Sequence, residues 1–156
     1  MTLPSEFSLR QATAADVPAL NVLMQASRAY EGEYRRMLDG YEIKVEQVER
    51  DYFGVAEADG IVFGFYSLIT KDRPELDLMF VRDNIQGRKL GALLFENMKR
   101  VAAGYGIVEV LIISHPPSVG FYESMGAVRT GTKSPTERVT WEQPILALAI
   151  EVAGAH

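Results

Sequence analysis

Two segments of the chain combine residue types that can do chemistry together. The first, Leu78-Met79-Phe80-Val81-Arg82-Asp83-Asn84-Ile85-Gln86-Gly87-Arg88-Lys89-Leu90-Gly91, reads as an apolar strand running through a glycine-flanked turn into a helix. Such a turn presents backbone N–H groups to an anion such as a diphosphate. Arg88 and Lys89 stand in the first helical turn, where the macrodipole disfavours cations unless an anion is near. The second segment, Ser118-Val119-Gly120-Phe121-Tyr122-Glu123-Ser124-Met125-Gly126-Ala127, places a tyrosine hydroxyl on a short helix after the next strand. An anion cradle and a proton donor on neighbouring elements imply a phosphate-bearing cofactor with chemistry beside it.

The elements that must position these segments follow from periodicity and punctuation. Residues 6–11 alternate and predict a first strand; Thr13 and Asp16 then form a capping-box signal for a helix whose apolar face is Val17, Leu20, Val22, Leu23 and Met24. Residues 27–50 read as a helix end, a loop and a second short helix. Residues 51–58 and 61–69 are strand-like, and Asp59-Gly60 between them predicts a type I′ hairpin, because both central positions want positive φ. A strand over 76–81 leads to a helix over 87–103 with apolar residues at 90, 93, 94, 98, 101 and 102. Residues 108–113 form an apolar run, hence a buried strand, closed by Pro116-Pro117. A short helix over 118–125 stops at Gly126, and strands over 128–132 and 145–152 complete the order β-α-α-β-β-β-α-β-α-β-β. Residues 134–144 connect the last two strands and carry the only tryptophan, Trp141.

Composition narrows the chemistry. A length of 156 residues suits one domain with a real core, here read as residues 1–156. There is no cysteine, which excludes disulfides, thiolate nucleophiles and Cys-rich zinc sites. The only histidines are His115 and His156, so no histidine-based metal site is expected. A net charge of −5 argues against nucleic acid as the main partner and suits a cationic or amine substrate. No secretory signal or membrane-length apolar run is visible, so a cytoplasmic location is expected. A nucleotide-binding module lacks support: neither a Gly-Lys-Ser/Thr loop nor the Gly-x-Gly-x-x-Gly spacing is present.

With these residues in place the chain resembles the GNAT superfamily of N-acetyltransferases. That family's cofactor turn has Gln or Arg, two free positions, Gly, one free position, then Gly or Ala. Here it reads Gln86-Gly87-Arg88-Lys89-Leu90-Gly91; the first and last positions match, Gly87 is a frequent family choice, and Lys89 stands where glycine is usual. The family's second segment has Asn or Asp, then Ala three residues on, then Phe-Tyr, and Gly four residues after that Tyr. Phe121, Tyr122 and Gly126 match it, whereas His115 and Ser118 replace its first polar and small residues. The likeness extends to residues 9–16 and to the hairpin at 55–60, and so covers most of the chain.

The resemblance implies an α/β (α+β) GNAT fold: a mixed, largely antiparallel twisted sheet of about seven strands with splayed central strands, flanked by about four helices. It implies acyl transfer from acetyl-CoA to a primary amine of a small molecule or peptide, by direct attack within a ternary complex and without a metal. Met79, Phe80 and Val81 would hold the acyl-pantetheine arm through their backbone and stabilise charge on the acyl oxygen. Gln86, Gly87, Arg88, Lys89, Leu90 and Gly91 would hold the diphosphate, with Ser118 and Phe121 beside them. At Lys89 a side chain either crowds the diphosphate or contacts it. Tyr122 would protonate the leaving thiolate; a phenol of reference pKa near ~10 is protonated at neutral pH. Candidates for the base are Glu57 and Asp77, then Glu75 and His115, with a water chain as another route. Tyr30, Glu31, Glu33, Tyr34 and His115 would face the acceptor, with Trp141 as a further wall or as cover for the core. A homodimer through the last strands is a further expectation. A non-catalytic acyl-CoA-binding regulatory protein on the same fold is the alternative.

Overall fold

The computed structural model describes residues 7–27, 32–82, 89–137 and 139–151. Its strands are β1 (Ser8–Gln11), β2 (Tyr52–Ala58), β3 (Ile61–Ile69), β4 (Glu75–Val81), β5 (Glu109–Ile113), β6 (Val128–Lys133) and β7 (Gln143–Ala149). Its α-helices are α1 (Val17–Ala26), α2 (Val45–Arg50), α3 (Leu90–Gly104) and α4 (Val119–Ser124). Short 3-10 turns precede α1 and α4, and a longer one spans Gly32–Met37. The expected element order is therefore observed, with strand ends moved by at most three residues.

The seven strands form one mixed sheet in the order β1-β2-β3-β4-β5-β7-β6. Neighbours pair antiparallel except β4 and β5, which are parallel. The tight β2–β3 hairpin forms because Asp59 and Gly60 take φ of 52° and 77°, the left-handed pair a type I′ turn requires. At the first helix, the Asp16 carboxylate accepts the Thr13 backbone N–H at 2.7 Å and completes the capping box.

Helices cover both sheet faces. On one face Leu20, Leu23 and Met24 of α1 and Val48 of α2 pack on Phe53, Phe65 and Phe80. On the other, Leu90, Leu94, Phe95 and Met98 of α3 pack on Tyr66, Leu68 and Leu76. Two expected core residues face outward instead. Val22 is 68% exposed and Leu93 38% exposed, because each helix turns its buried stripe one position away, and Phe95 is buried where the stripe omitted it.

Two irregularities interrupt the central strands. Ser67 of β3 lies opposite Leu78, but Leu68 lies opposite Leu76, so Asp77 is an extra residue bulged out of β4. The β4–β5 register holds a single pair, Glu75 with Leu111, supported by a bond from the Leu111 N–H to the Pro74 carbonyl at 2.9 Å. Residues 79–81 lie beyond that pair, where the parallel strands have parted.

Candidate active site

The parting of β4 and β5 opens a cavity of about 630 Å³, within the size range of small-molecule sites. Met79, Phe80 and Val81 line it from β4; Lys89, Leu90, Gly91 and Ala92 line it from the start of α3; Ser118, Phe121 and Tyr122 line it from the turn and helix after β5. The two segments singled out in the sequence thus meet across one space. Ser27, at the end of α1, and Ser124 and Met125, at the end of α4, line it as well. Sequence reading gave no site role to these three or to Ala92; the spacing 118, 121, 122, 125 along one helical face was the available signal for Met125.

Second-segment aromatics are held by packing. Phe121 and Tyr122 cross at 5.4 Å between ring centroids, and Phe95 of α3 meets them at 6.0 and 6.1 Å. A Cβ added to Gly91 would stand 3.5 Å from the Phe121 ring, an ordinary contact, so this position accepts alanine but little more.

The α3 N-terminus carries no side-chain cap and no acidic residue in its first turn. Its N-cap position is Lys89, with φ 63° and ψ 18°. A left-handed backbone at a residue with a Cβ costs about 1 kcal/mol or more. The glycine usual at this place in the family would adopt that conformation without strain. Lys89 therefore holds, with a side chain, a conformation that glycine adopts freely. Gln86, Gly87 and Arg88 lie outside the described residues, as do Tyr30 and Glu31 and the side chain of Glu33.

The candidate bases separate. Glu57 accepts from Arg10 at 2.9 Å, and Arg10 also makes a two-bond pair with Asp16 at 2.8 and 2.9 Å. The hydrogen bond from Arg10 holds the carboxyls of Glu57 and Asp16 below the usual carboxylate range. Glu57 is also absent from the cavity lining. Its lone pairs are thus engaged by Arg10, which weakens its carboxylate as a proton acceptor. Asp77 is likewise absent from the cavity lining but differs in its electrostatics. Its carboxyl is solvent-accessible but recessed, and the surrounding protein first, then the charge of Asp51, raise its pKa, while Arg50 opposes them. Glu75 is raised as well, by burial and then by Asp77, with Lys133 and Arg73 opposing.

On the α1–α2 side, Tyr34 packs edge-on against Trp141 at 4.8 Å and against His115 at 5.5 Å. His115 is buried at the end of β5 and Trp141 is buried in the connection to β7. Among the described residues the Trp141 Nε1–H has no hydrogen-bond partner, an unmet donor within this aromatic group. No group of three or more metal-ligating side chains occurs among the described residues, and no described helix is long and apolar enough to cross a membrane.

The family model for the acetyltransferase (GNAT) domain matches residues 25–141. No curated protein matches the sequence significantly. Among solved structures, a GCN5-related N-acetyltransferase from Rhodopseudomonas palustris aligns with a TM-score of 0.81 at 17% identity, over 96% of this chain and 99% of that one. A GNAT family acetyltransferase from Elizabethkingia anophelis with acetyl-CoA bound aligns with a TM-score of 0.71 at 14% identity, over 94% and 100%. The PaiA N-acetyltransferase from Thermoplasma acidophilum, in complex with coenzyme A, aligns at 0.69 and 18%, over 92% and 99%. At these identities the likeness is one of fold.

Proposed function

The chain belongs to the GNAT acetyltransferase family, and on that premise we propose that it transfers the acetyl group of acetyl-CoA to a primary amine of a small molecule or peptide, as a single domain. The observation that carries this reading is the cavity between the parted β4 and β5, which joins residues 79–81 to the uncapped start of α3 and to Tyr122. The acetyl-CoA bound in the Elizabethkingia anophelis protein supports the same cofactor here. The residues present fit such a molecule: an apolar slot for the acyl arm ends at a helix N-terminus suited to phosphate.

When bound, acetyl-CoA supplies a thioester-activated acyl group. Backbone groups of Met79, Phe80 and Val81 orient the acyl arm and offset negative charge developing on its oxygen. The start of α3 at Leu90 and Gly91 holds the diphosphate. Tyr122 gives its Oη proton to the departing sulfur, and Ser118 and Phe121 wall the arm. Asp77, recessed at the β4 bulge with a raised pKa, takes the proton that an incoming ammonium must lose. Tyr34 and His115 form the acceptor side.

Calorimetric titration with acetyl-CoA, followed by assay of thiol release across a panel of primary amines, tests the reading. Binding with release for at least one amine class supports it. Absence of binding removes it; binding without release across the panel points to a non-catalytic acyl-CoA-binding protein.

A further inference from the structure

Resting on the reading that Tyr34 stands on the acceptor side, we propose that Arg35 and Gln25 are positioning residues. They clamp the Gly32–Met37 turn to the C-terminal end of α1, hold Tyr34 against Trp141, and so set recognition of the amine acceptor without touching acetyl-CoA.

The chain between α1 and α2 forms neither strand nor helix over residues 38–44, so its backbone polar groups need partners from elsewhere. α1 supplies them. Asn21 and Gln25 stand four residues apart and therefore on one face of that helix. Asn21 Nδ2 donates to the Ile43 carbonyl at 3.0 Å, and its Oδ1 accepts the Ile43 N–H at 2.8 Å. Gln25 Nε2 donates to the carbonyls of Leu38 and Tyr41, each at 3.0 Å.

Arg35 closes the clamp from the other side. Its Nη2 donates to Gln25 Oε1 at 3.0 Å and to the Gln25 backbone carbonyl, and its Nη1 donates to the Ser27 carbonyl at 3.5 Å. The Gln25 carbonyl belongs to the last turn of α1, where carbonyls lack helical partners and the macrodipole favours a cation. The rigid guanidinium fork serves these oxygens together, a geometry that an ammonium does not match. Ser27 also lines the cavity at the parted strands, so the clamp ties the acceptor side to the cofactor side.

Tyr34 precedes Arg35 in the same 3-10 turn, where successive side chains diverge by about 120°. Anchoring Arg35 on α1 therefore aims Tyr34 elsewhere, onto Trp141 at 4.8 Å and His115 at 5.5 Å. Trp141 is buried with no hydrogen-bond partner for its Nε1–H among the described residues, so packing rather than a polar bond fixes its ring. The clamp thus acts through Tyr34 on a wall built from three segments: the 3-10 turn, the end of β5 and the connection to β7. Loosening that wall withdraws contacts from the acceptor and not from the cofactor, and a loss of this kind appears in KM for the amine.

The test assays an alkane diamine, an amino sugar and a tripeptide with a free N-terminus, and follows the one that wild type acetylates fastest. Arg35→Met should raise KM for that amine about ten-fold, with kcat and the calorimetric affinity for acetyl-CoA changed by less than about three-fold. Arg35→Lys should recover part of the loss, because an ammonium replaces the fork with single bonds. Trp141 is the only tryptophan, so emission should move to longer wavelength in Arg35→Met as Tyr34 leaves the indole. Tyr34→Leu should reproduce the rise in KM, and Arg35→Met should add little to it, because both act through one side chain. Asn21→Leu, which loosens the same connection at Ile43, should lower the melting temperature and leave KM alone. An unchanged amine KM in Arg35→Met overturns the inference and leaves acetyl transfer standing. A rise in KM that Asn21→Leu matches, or that adds in full to the effect of Tyr34→Leu, overturns it as well. Should Arg35→Met fail to fold, Arg35→Lys decides on the same readouts. Wild type that acetylates none of the three amines removes the acceptor reading and this inference with it.

Discussion

Phe121 lies against Gly91, its ring 3.5 Å from the point where a Cβ on that glycine would stand. Two segments separated by a strand in sequence are thereby in contact. The absence of a side chain at Gly91 lets the α4 aromatic close one wall of the cavity while the helix start remains open to an anion.

That contact sets a size limit at Gly91. Gly91→Ala should bind acetyl-CoA within a few-fold of wild type, since a methyl group meets only van der Waals contact. Gly91→Glu should abolish measurable binding, because its carboxylate would either displace Phe121 or face the diphosphate with like charge. Calorimetry decides, and unchanged affinity of Gly91→Glu would remove the anion cradle from the reading.

Tyr122 is expected to act on chemistry rather than on binding. Tyr122→Phe keeps the ring that packs on Phe121 and Phe95 but deletes the proton donor. It should lower kcat by up to about a hundred-fold with little change in acetyl-CoA affinity. A thiolate is a good leaving group, so the loss should be smallest at low pH, where solvent protonates the sulfur. Single-turnover rates isolate the chemical step; an unchanged rate there assigns Tyr122 to packing alone.

The parts of this site that could be read from the chain were those governed by local rules. Asp59-Gly60 specified its turn because two adjacent residues needed positive φ, and Thr13 with Asp16 specified a helix start within one turn. Long-range features could not be read in the same way. The bulge at Asp77 exists only in the register between β3 and β4, and the parting of β4 from β5 depends on which single pair they share. The engagement of Glu57 comes from Arg10, a residue 47 positions away that meets it across the β1–β2 pairing. Lys89 shows a mixed case: its departure from glycine was visible, whereas its left-handed backbone was not.

Gly54 illustrates a constraint of the fold behind the site. A Cβ added there would lie 2.5 Å from ring atoms of Tyr66, whose hydroxyl donates to Asn97 Oδ1 at 2.6 Å. Gly54→Ala should therefore destabilise the protein by about 1–3 kcal/mol through displacement of a fully buried ring. Tyr66→Leu in the same chain should recover part of that loss, so the pair should be non-additive in denaturant unfolding. Additive losses would show that the strain is taken up elsewhere.

Asp77 gives the sharpest pH test. A base must be ionised to act, and desolvation by the surrounding protein together with the charge of Asp51 raises its pKa, so the acid limb of kcat/KM should lie above the ordinary carboxylate range. Asp77→Asn should lower kcat/KM at neutral pH by about a hundred-fold and abolish that limb. Glu57→Gln should leave the limb in place, since Arg10 holds the Glu57 carboxyl below the usual carboxylate range. Stability should move in the opposite sense to activity. A carboxyl whose pKa is higher folded than unfolded contributes stability that is fully present below its unfolded pKa, near ~3.9, and is lost as pH rises through the folded value. At neutral pH wild type therefore carries an unfavourable charge that Asp77→Asn lacks, and the variant should melt at a higher temperature. Melts at matched pH, set beside the kinetic profile, separate a catalytic carboxylate from a structural one: a variant both less active and less stable would assign Asp77 to the fold.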